Sequence, residues 1–266
     1  MTAMKNIIMI LKTELYKLIC QRYFFILIIG FILFLAGLGW VRLKVAGYTD
    51  TQLSGFQLAA FLVSTGSNLL VLIMIILSGS AIASERSQGN LDLICVRSVP
   101  RGQIISGKLL YLFSVALMLL ILLFVISLAT GAGLAGLQSL AEGEYTIYHF
   151  SQLLGHYATG FCFSVLPVFA WCSIAFFFSI LITSPVWANA SSLILFFAFY
   201  LLLPFDEIIN FTPNRFLNVA MEMMSKITYG LPALWEHLYR LSFYSLIYVS
   251  VFSFLSILVF RRQDIL

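Results

Sequence analysis

Six runs of apolar residues, over 23–41, 58–82, 109–134, 157–182, 186–203 and 241–260, set the terms on which this chain can fold. Each is near the roughly 20 residues that a helix needs to cross the hydrocarbon core of a bilayer, where every backbone polar group must find its partner inside the segment. A water-soluble fold could not bury so much apolar surface: 61% of the 266 residues are hydrophobic and 10% are charged, against roughly 25% charged in soluble domains. The short alternating segments of a membrane β-barrel are absent. The expected fold is therefore all-α, a polytopic membrane protein of six transmembrane helices in a single transmembrane domain, 1–266, without internal repeat or linker.

Charge falls between the runs. The net charge of +4 does not describe a nucleic-acid surface, because the basic residues cluster at the ends of spans. With six spans both termini share one side. That side carries Lys5, Lys12, Lys17, Arg22, Arg86, Arg97, Arg101, Lys108, Arg261 and Arg262, and the other carries Arg42, Lys44, Arg215, Lys226 and Arg240. The excess places both termini in the cytoplasm of a cell whose inner (plasma) membrane holds the protein. Cys20, Cys95, Cys162 and Cys172 form no CxxC pair and are expected as free thiols.

Two segments outside the spans are amphipathic. Over 4–22, Met4, Ile7, Ile8, Leu11, Leu15, Leu18 and Ile19 recur at helical spacing among Lys5, Lys12, Glu14 and Lys17, the pattern of a helix lying on a membrane surface. A cleaved signal peptide fits poorly, because the charged part is long, Glu14 is out of place and no small-residue cleavage site follows. Over 84–108 lies the longest charged interruption of the chain. It holds Glu85, Arg86, Asp92, Arg97, Arg101 and Lys108, with Leu91, Leu93, Ile94 and Val96 between them and Gly89, Pro100 and Gly102 as helix breakers. A plain solvated loop would explain the charge. Broken amphipathic helix at a membrane surface instead suggests a partner that covers the apolar face.

The order Glu85, Gly89, Leu91, Leu93, Pro100, Arg101, Gly107, Lys108 resembles the cytoplasmic coupling segment of the type-2 family of ATP-binding-cassette (ABC) export permeases, with Asn90 where that family usually has Thr or Ser. In the family an acidic residue and a glycine precede a Leu-rich turn, then a Pro with a basic residue, then Gly-Lys at the next span. The segment 4–22 likewise resembles the family's elbow helix, and Arg261, Arg262 and Asp264 resemble its closing pattern. The resemblance implies a permease subunit that pairs with a second copy or a paralogue in the lipid bilayer and docks a separate cytoplasmic ABC ATPase subunit through Glu85, Arg86, Gly89, Leu91, Asp92, Leu93, Pro100, Arg101 and Lys108. It further implies a region, 205–240, that dips into the outer leaflet before the last span. There Thr212 before Pro213 reads as a helix start, and Phe216, Val219, Ala220, Met223, Met224 and Ile227 form an apolar face.

The chain has no engine of its own. It lacks the GxxxxGK[ST] phosphate-cradling loop, so ATP and Mg are expected on the partner and no cofactor is expected here. The six runs as bounded above hold no ionisable group away from their ends, which lowers the prospect of an ion-coupled carrier. A membrane scaffold or immunity protein is the other alternative. Glu142, Glu144, His149 and His156 show no metal-binding spacing, and GxSxG is absent, so neither a metal nor a hydrolase is expected. Ser64, Thr65, Ser67 and Asn68, with Asn189, Ser191 and Ser192, either line a pathway, as the resemblance favours, or tie helices together.

Overall fold

The structure, a computed structural model, describes residues 2–48, 54–89, 100–137, 140–142, 145–201, 211–228 and 235–262. The described residues are helical apart from one small hairpin and the turns between elements. The elements are α1 (Thr2–Cys20), α2 (Arg22–Tyr48), α3 (Gly55–Ser80), α4 (Ala83–Ser87), α5 (Arg101–Ala135), β1 (Leu140–Glu142), β2 (Tyr145–Tyr148), α6 (Phe150–Leu181), α7 (Pro185–Leu201), a 3-10 helix (Pro213–Asn218), α8 (Val219–Thr228) and α9 (Trp235–Arg262). Among the described residues five stretches are long and apolar enough to cross a membrane: Phe24–Ala46, Gly55–Ser87, Arg101–Ala135, Phe150–Leu181 and Ser242–Arg262. α7 is apolar but shorter, 17 residues.

Helices extend beyond the apolar runs, and the extensions correct several expected boundaries. α2 continues through Arg42 and Lys44, expected in a loop. The Arg42 guanidinium lies 5.2 Å from the Phe61 ring centroid and the Lys44 ammonium 5.2 Å from that of Trp40, so aromatic faces receive both cations. α3 begins at Gly55, where the Ser54 hydroxyl accepts from Gln57 N–H at 3.3 Å and the Gln57 side chain accepts from Ser54 N–H at 3.1 Å, a reciprocal cap. α5 begins at Arg101, two turns before the expected 109, with Pro100 as its cap. α6 begins at Phe150 rather than Tyr157, because His149 N–H donates to Gln152 Oε1 at 3.1 Å and the first turn then buries Leu153. Trp235 to Arg240, expected in the broken region, already belong to α9. The connection after α5 is not a bare loop: β1 and β2 pair antiparallel, Ala141 opposite Thr146 and Glu142 opposite Tyr145, with an irregularity at Leu140.

α3 and α6 sit at the centre, while α2 and α9 leave most of their apolar surface free. The largest core cluster gathers Leu70, Met74, Ile75, Leu112, Leu120, Trp171 and Phe176 from α3, α5 and α6. Lipid tails are as apolar as Leu, so helices here gain by close van der Waals approach rather than by escaping water. Glycine supplies that approach at the hairpin end of α3 and α5. A Cβ on Gly131 would fall 2.4 Å from the Gly55 carbonyl oxygen, and Gly55 N–H donates to Gly136 O at 3.1 Å. The small-residue stretch 129–136 packs closely there, and α5 stays helical to Ala135. α6 likewise runs on through Pro167.

Candidate docking end and polar seam

At one end of the bundle α1, α3, α4, α5 and α6 meet. α3 stops because Ser179 of α6 takes over its next donors. The buried Ser179 hydroxyl oxygen accepts from Ile82 N–H at 2.9 Å and Ala83 N–H at 3.0 Å, so the chain turns at Ala81–Ile82 and restarts as α4. Gly89, at φ +69°, then ends α4 in the left-handed conformation that a side chain resists, and its N–H donates to Arg86 O at 3.1 Å. Gly89 and Pro100 thus break the helix as expected, whereas Gly102, expected as a third breaker, lies within the first turn of α5. The centre of the expected docking segment, with Leu91, Asp92 and Leu93, lies outside the described residues.

Among its described members, Lys108 is the hub. Its side chain is 5% exposed; the ammonium lies 2.6 Å from Glu85 Oε1 and 3.6 Å from Glu14 Oε1, and donates to Ala81 O at 3.3 Å. Glu14 also receives Lys17 at 2.9 Å. Arg86 turns elsewhere and donates to Ile180 O at 3.0 Å. Glu85 is thus linked to Glu14 of α1 through Lys108. The statement that no ionisable group stands inside a span also needs correction. With α5 starting at Arg101, Lys108 lies two turns inside the helix, held there because both its carboxylate partners come with it. α1 seats itself on α5 at one helical spacing: Asn6 Nδ2 donates to Gln103 Oε1 at 3.1 Å, Ile10 fills the space over Gly107, and Glu14 reaches Lys108. Met4, Ile8 and Ile19, counted in the apolar pattern of 4–22, stay exposed while Leu18 is buried.

The second set of candidate residues lies along α3 and α7. The Ser64 hydroxyl donates to Asn218 Oδ1 at 2.6 Å; Asn68 Nδ2 donates to Ser64 O at 2.9 Å and to Asn218 Oδ1 at 3.3 Å. The Tyr200 hydroxyl donates to Asn68 Oδ1. Thr65 is half-buried, and the buried Ser67 hydroxyl has no partner among the described residues. On α7, Ser191 and Ser192 donate to carbonyls of their own helix, and Asn189 lies against Gly79, where a Cβ would fall 2.2 Å from its Oδ1. Asn189 Oδ1 has no donor among the described residues.

A second clasp escaped sequence reading. Trp171 Nε1 donates to Asn214 Oδ1 at 2.8 Å, and Asn214 Nδ2 donates to Phe196 O at 3.0 Å. At 1.5 Å per residue Trp171 lies about 32 Å along α6 from Phe150 and about 15 Å from Leu181. The 3-10 helix therefore reaches well into the bundle. Thr212 precedes it in extended conformation with Pro213 at its first turn, and the face Phe216, Val219, Ala220, Met223, Met224, Ile227 is buried, both as expected. Non-helical backbone at that depth is tolerable because protein surrounds it.

Among the described residues no group of His, Cys, Asp and Glu could hold a metal ion, and Cys20 and Cys162 are exposed while Cys172 is buried, all free. Residues 10–186 match the family described as ABC-2 family transporter protein. The chain belongs to the ABC-2 family. No curated protein matches it. As an ABC-2 permease it is a membrane component of an ABC transporter, in a family whose members work with an ABC ATPase. The family match spans α1 from Ile10 through α6, so it takes in Glu14, Glu85 and Lys108, whereas the 3-10 helix and α8 lie beyond it.

Proposed function

We propose that this chain is the permease subunit of an ATP-driven ABC exporter. Two copies, or one copy and a paralogue, enclose the pathway, and a cytoplasmic ATPase subunit that binds ATP and Mg docks on 84–108. The observation that carries this reading is the junction at α4: family membership supplies the partner class, and the longest charged break between long spans is anchored to three helices at its root. An anchored root is what a lever needs, since a free loop would absorb a push. Glu85, Arg86, Gly89, Pro100, Arg101 and Lys108 form the base of the docking segment, and Leu91, Asp92 and Leu93 its contact. α7 is the fifth of six crossings, α1 is the elbow helix on the membrane surface, and 205–240 is re-entrant from the outer leaflet. The basic excess places the termini and α4 in the cytoplasm of a cell with this protein in its inner membrane. Ser64, Thr65, Ser67, Asn68, Asn189, Ser191 and Ser192 border the pathway, where breaking the α3 clasp would expose them.

The test is purification in mild detergent followed by reconstitution. An ATPase subunit is expected to stay bound, and Leu91→Asp with Leu93→Asp is expected to abolish stimulation of its hydrolysis. Unchanged assembly and hydrolysis in that double variant would remove the docking role. A stoichiometric partner without ATPase activity would indicate a scaffold or immunity protein, and flux that collapses with an ionophore but ignores ATP depletion would indicate an ion-coupled carrier.

A further inference from the structure

Four charges alternate in sign across three helices: Lys17 and Glu14 on α1, Lys108 on α5, Glu85 on α4. Lys17 is 58% exposed, but Lys108 is nearly sealed, and Glu14 and Glu85 each expose 16% of their side chains. Lys108 is the only one of the four that touches both other helices. Without its ammonium Glu85 would lose its ion-pair partner and Glu14 would keep only Lys17 of its own helix; Glu85 Oε2 already has no donor among the described residues. The Ala81 carbonyl fixes the same ammonium to the turn where α3 ends. Of the three ammonium donors, two go to Glu85 Oε1 and Ala81 O, and Glu14 stands within ion-pair distance.

We infer that Lys108 is a positioning residue that makes α1 and α4 one mechanical unit with the start of α5. A displacement applied to 84–89 then moves α1 and α5 together instead of being absorbed by the turn at Ala81–Ile82. The inference deepens the docking reading and rests on it for the source of the push. The unit itself is a property of this chain alone. A structural ion pair that merely adds stability would make no demand on relative motion, which gives the two explanations different consequences.

The experiment places spin labels at two exposed positions, Met9→Cys on α1 and Ser87→Cys on α4, with the native cysteines replaced. Their distance distribution is measured by pulsed electron resonance in the permease alone and in the complex with its co-purifying ATPase, without nucleotide and with ATP and vanadate. With Lys108 present the distribution is expected to be narrow and to keep its mean in every state. Lys108→Met is expected to broaden it by about twofold in the permease alone, as a locally freed segment would, and to let its mean shift with nucleotide in the complex, while Lys108→Arg restores the narrow form. Because Lys108→Met leaves buried carboxylates uncompensated and risks misfolding, the neutral triple variant Glu14→Gln, Glu85→Gln, Lys108→Met is measured beside it, with the same broadening expected. A distribution in the variants as narrow as in the parent, or a parent distance that changes with nucleotide, overturns the inference. If no ATPase co-purifies, the docking reading fails, and the width measured in the permease alone still decides whether Lys108 holds the unit.

Discussion

Trp171→Phe isolates the clasp that holds the 3-10 helix inside the bundle. The phenyl ring keeps the apolar contacts of the indole with Phe196, centroids 5.0 Å apart, and with Phe199, 5.6 Å, but drops the N–H that donates to Asn214 Oδ1 at 2.8 Å. Asn214 is 1% exposed and Trp171 fully buried, so water does not replace the lost donor. An acceptor stranded in this way costs about 1–3 kcal/mol in soluble proteins. Between membrane helices, pairwise hydrogen-bond energies average about 0.6 and reach about 1.7 kcal/mol. The smaller ring adds a cavity cost of its own, so the single variant cannot apportion the loss. The cycle with Asn214→Leu can, because both the cavity and the broken bond to Phe196 O appear on its parallel edges. The expected coupling energy is about 0.6–1.7 kcal/mol. Unfolding in mixed micelles is followed by labelling of the buried Cys172 thiol, with Cys20, Cys95 and Cys162 replaced. Coupling within about 0.3–0.5 kcal/mol of zero, the range of independent sites, would refute the clasp.

Two further changes probe packing and the turn. Gly131→Ala would press a methyl group against the Gly55 carbonyl and is expected to cost about 1–3 kcal/mol, whereas Gly133→Ala, with nothing within 4 Å, is expected to be neutral or slightly stabilising in the same micelle titration. Ser179→Ala leaves the buried Ile82 and Ala83 N–H groups without their acceptor and is expected to cost about 1–3 kcal/mol and to speed hydrogen exchange at those two amides, with Ser179→Thr retaining protection.

What could be read from sequence was whatever local chemistry decides. Gly89 and Pro100 break the helix because of their own backbones, and Thr212, Pro213 and the apolar face from Phe216 to Ile227 announce a helix start and its buried side. Helix ends were misplaced wherever hydropathy stopped before the backbone did. Arg42, Lys44 and Lys108 carry charged side chains on helix that continues, because aromatic faces and largely buried carboxylates accept them. Long-range partners were the least legible. Ser64 and Asn218 are separated by 154 positions, and Trp171 and Asn214 by 43. An Asn in a short polar stretch reads as solvated until the fold carries that stretch into the bundle. Lys108 was recognised as part of a family-like pair with Gly107, yet its role as the hub depends on Glu14 arriving from α1, which spacing alone does not supply.

The two candidate regions are joined by one stiff element. α3 carries Ser64 and Asn68, which hold the 3-10 helix, and ends at Ala81 beside the root of α4. Its 26 residues span about 39 Å, and an α-helix without an internal break transmits translation along and across its axis with little loss. The break that would absorb such motion is at Ala81–Ile82, and there Ser179 and Lys108 bind the turn to α6 and α5. On the docking proposal, force entering through 84–89 would reach the Asn218 clasp unless one of those two ties were cut. Among the described residues two hydrogen bonds from α3 close that clasp on Asn218, Ser64 at 2.6 Å and Asn68 at 3.3 Å, and the longer bond is the weaker. The ties are ionic at one end of α3, where Lys108 holds Glu85, and are made by neutral amide and hydroxyl groups toward the other.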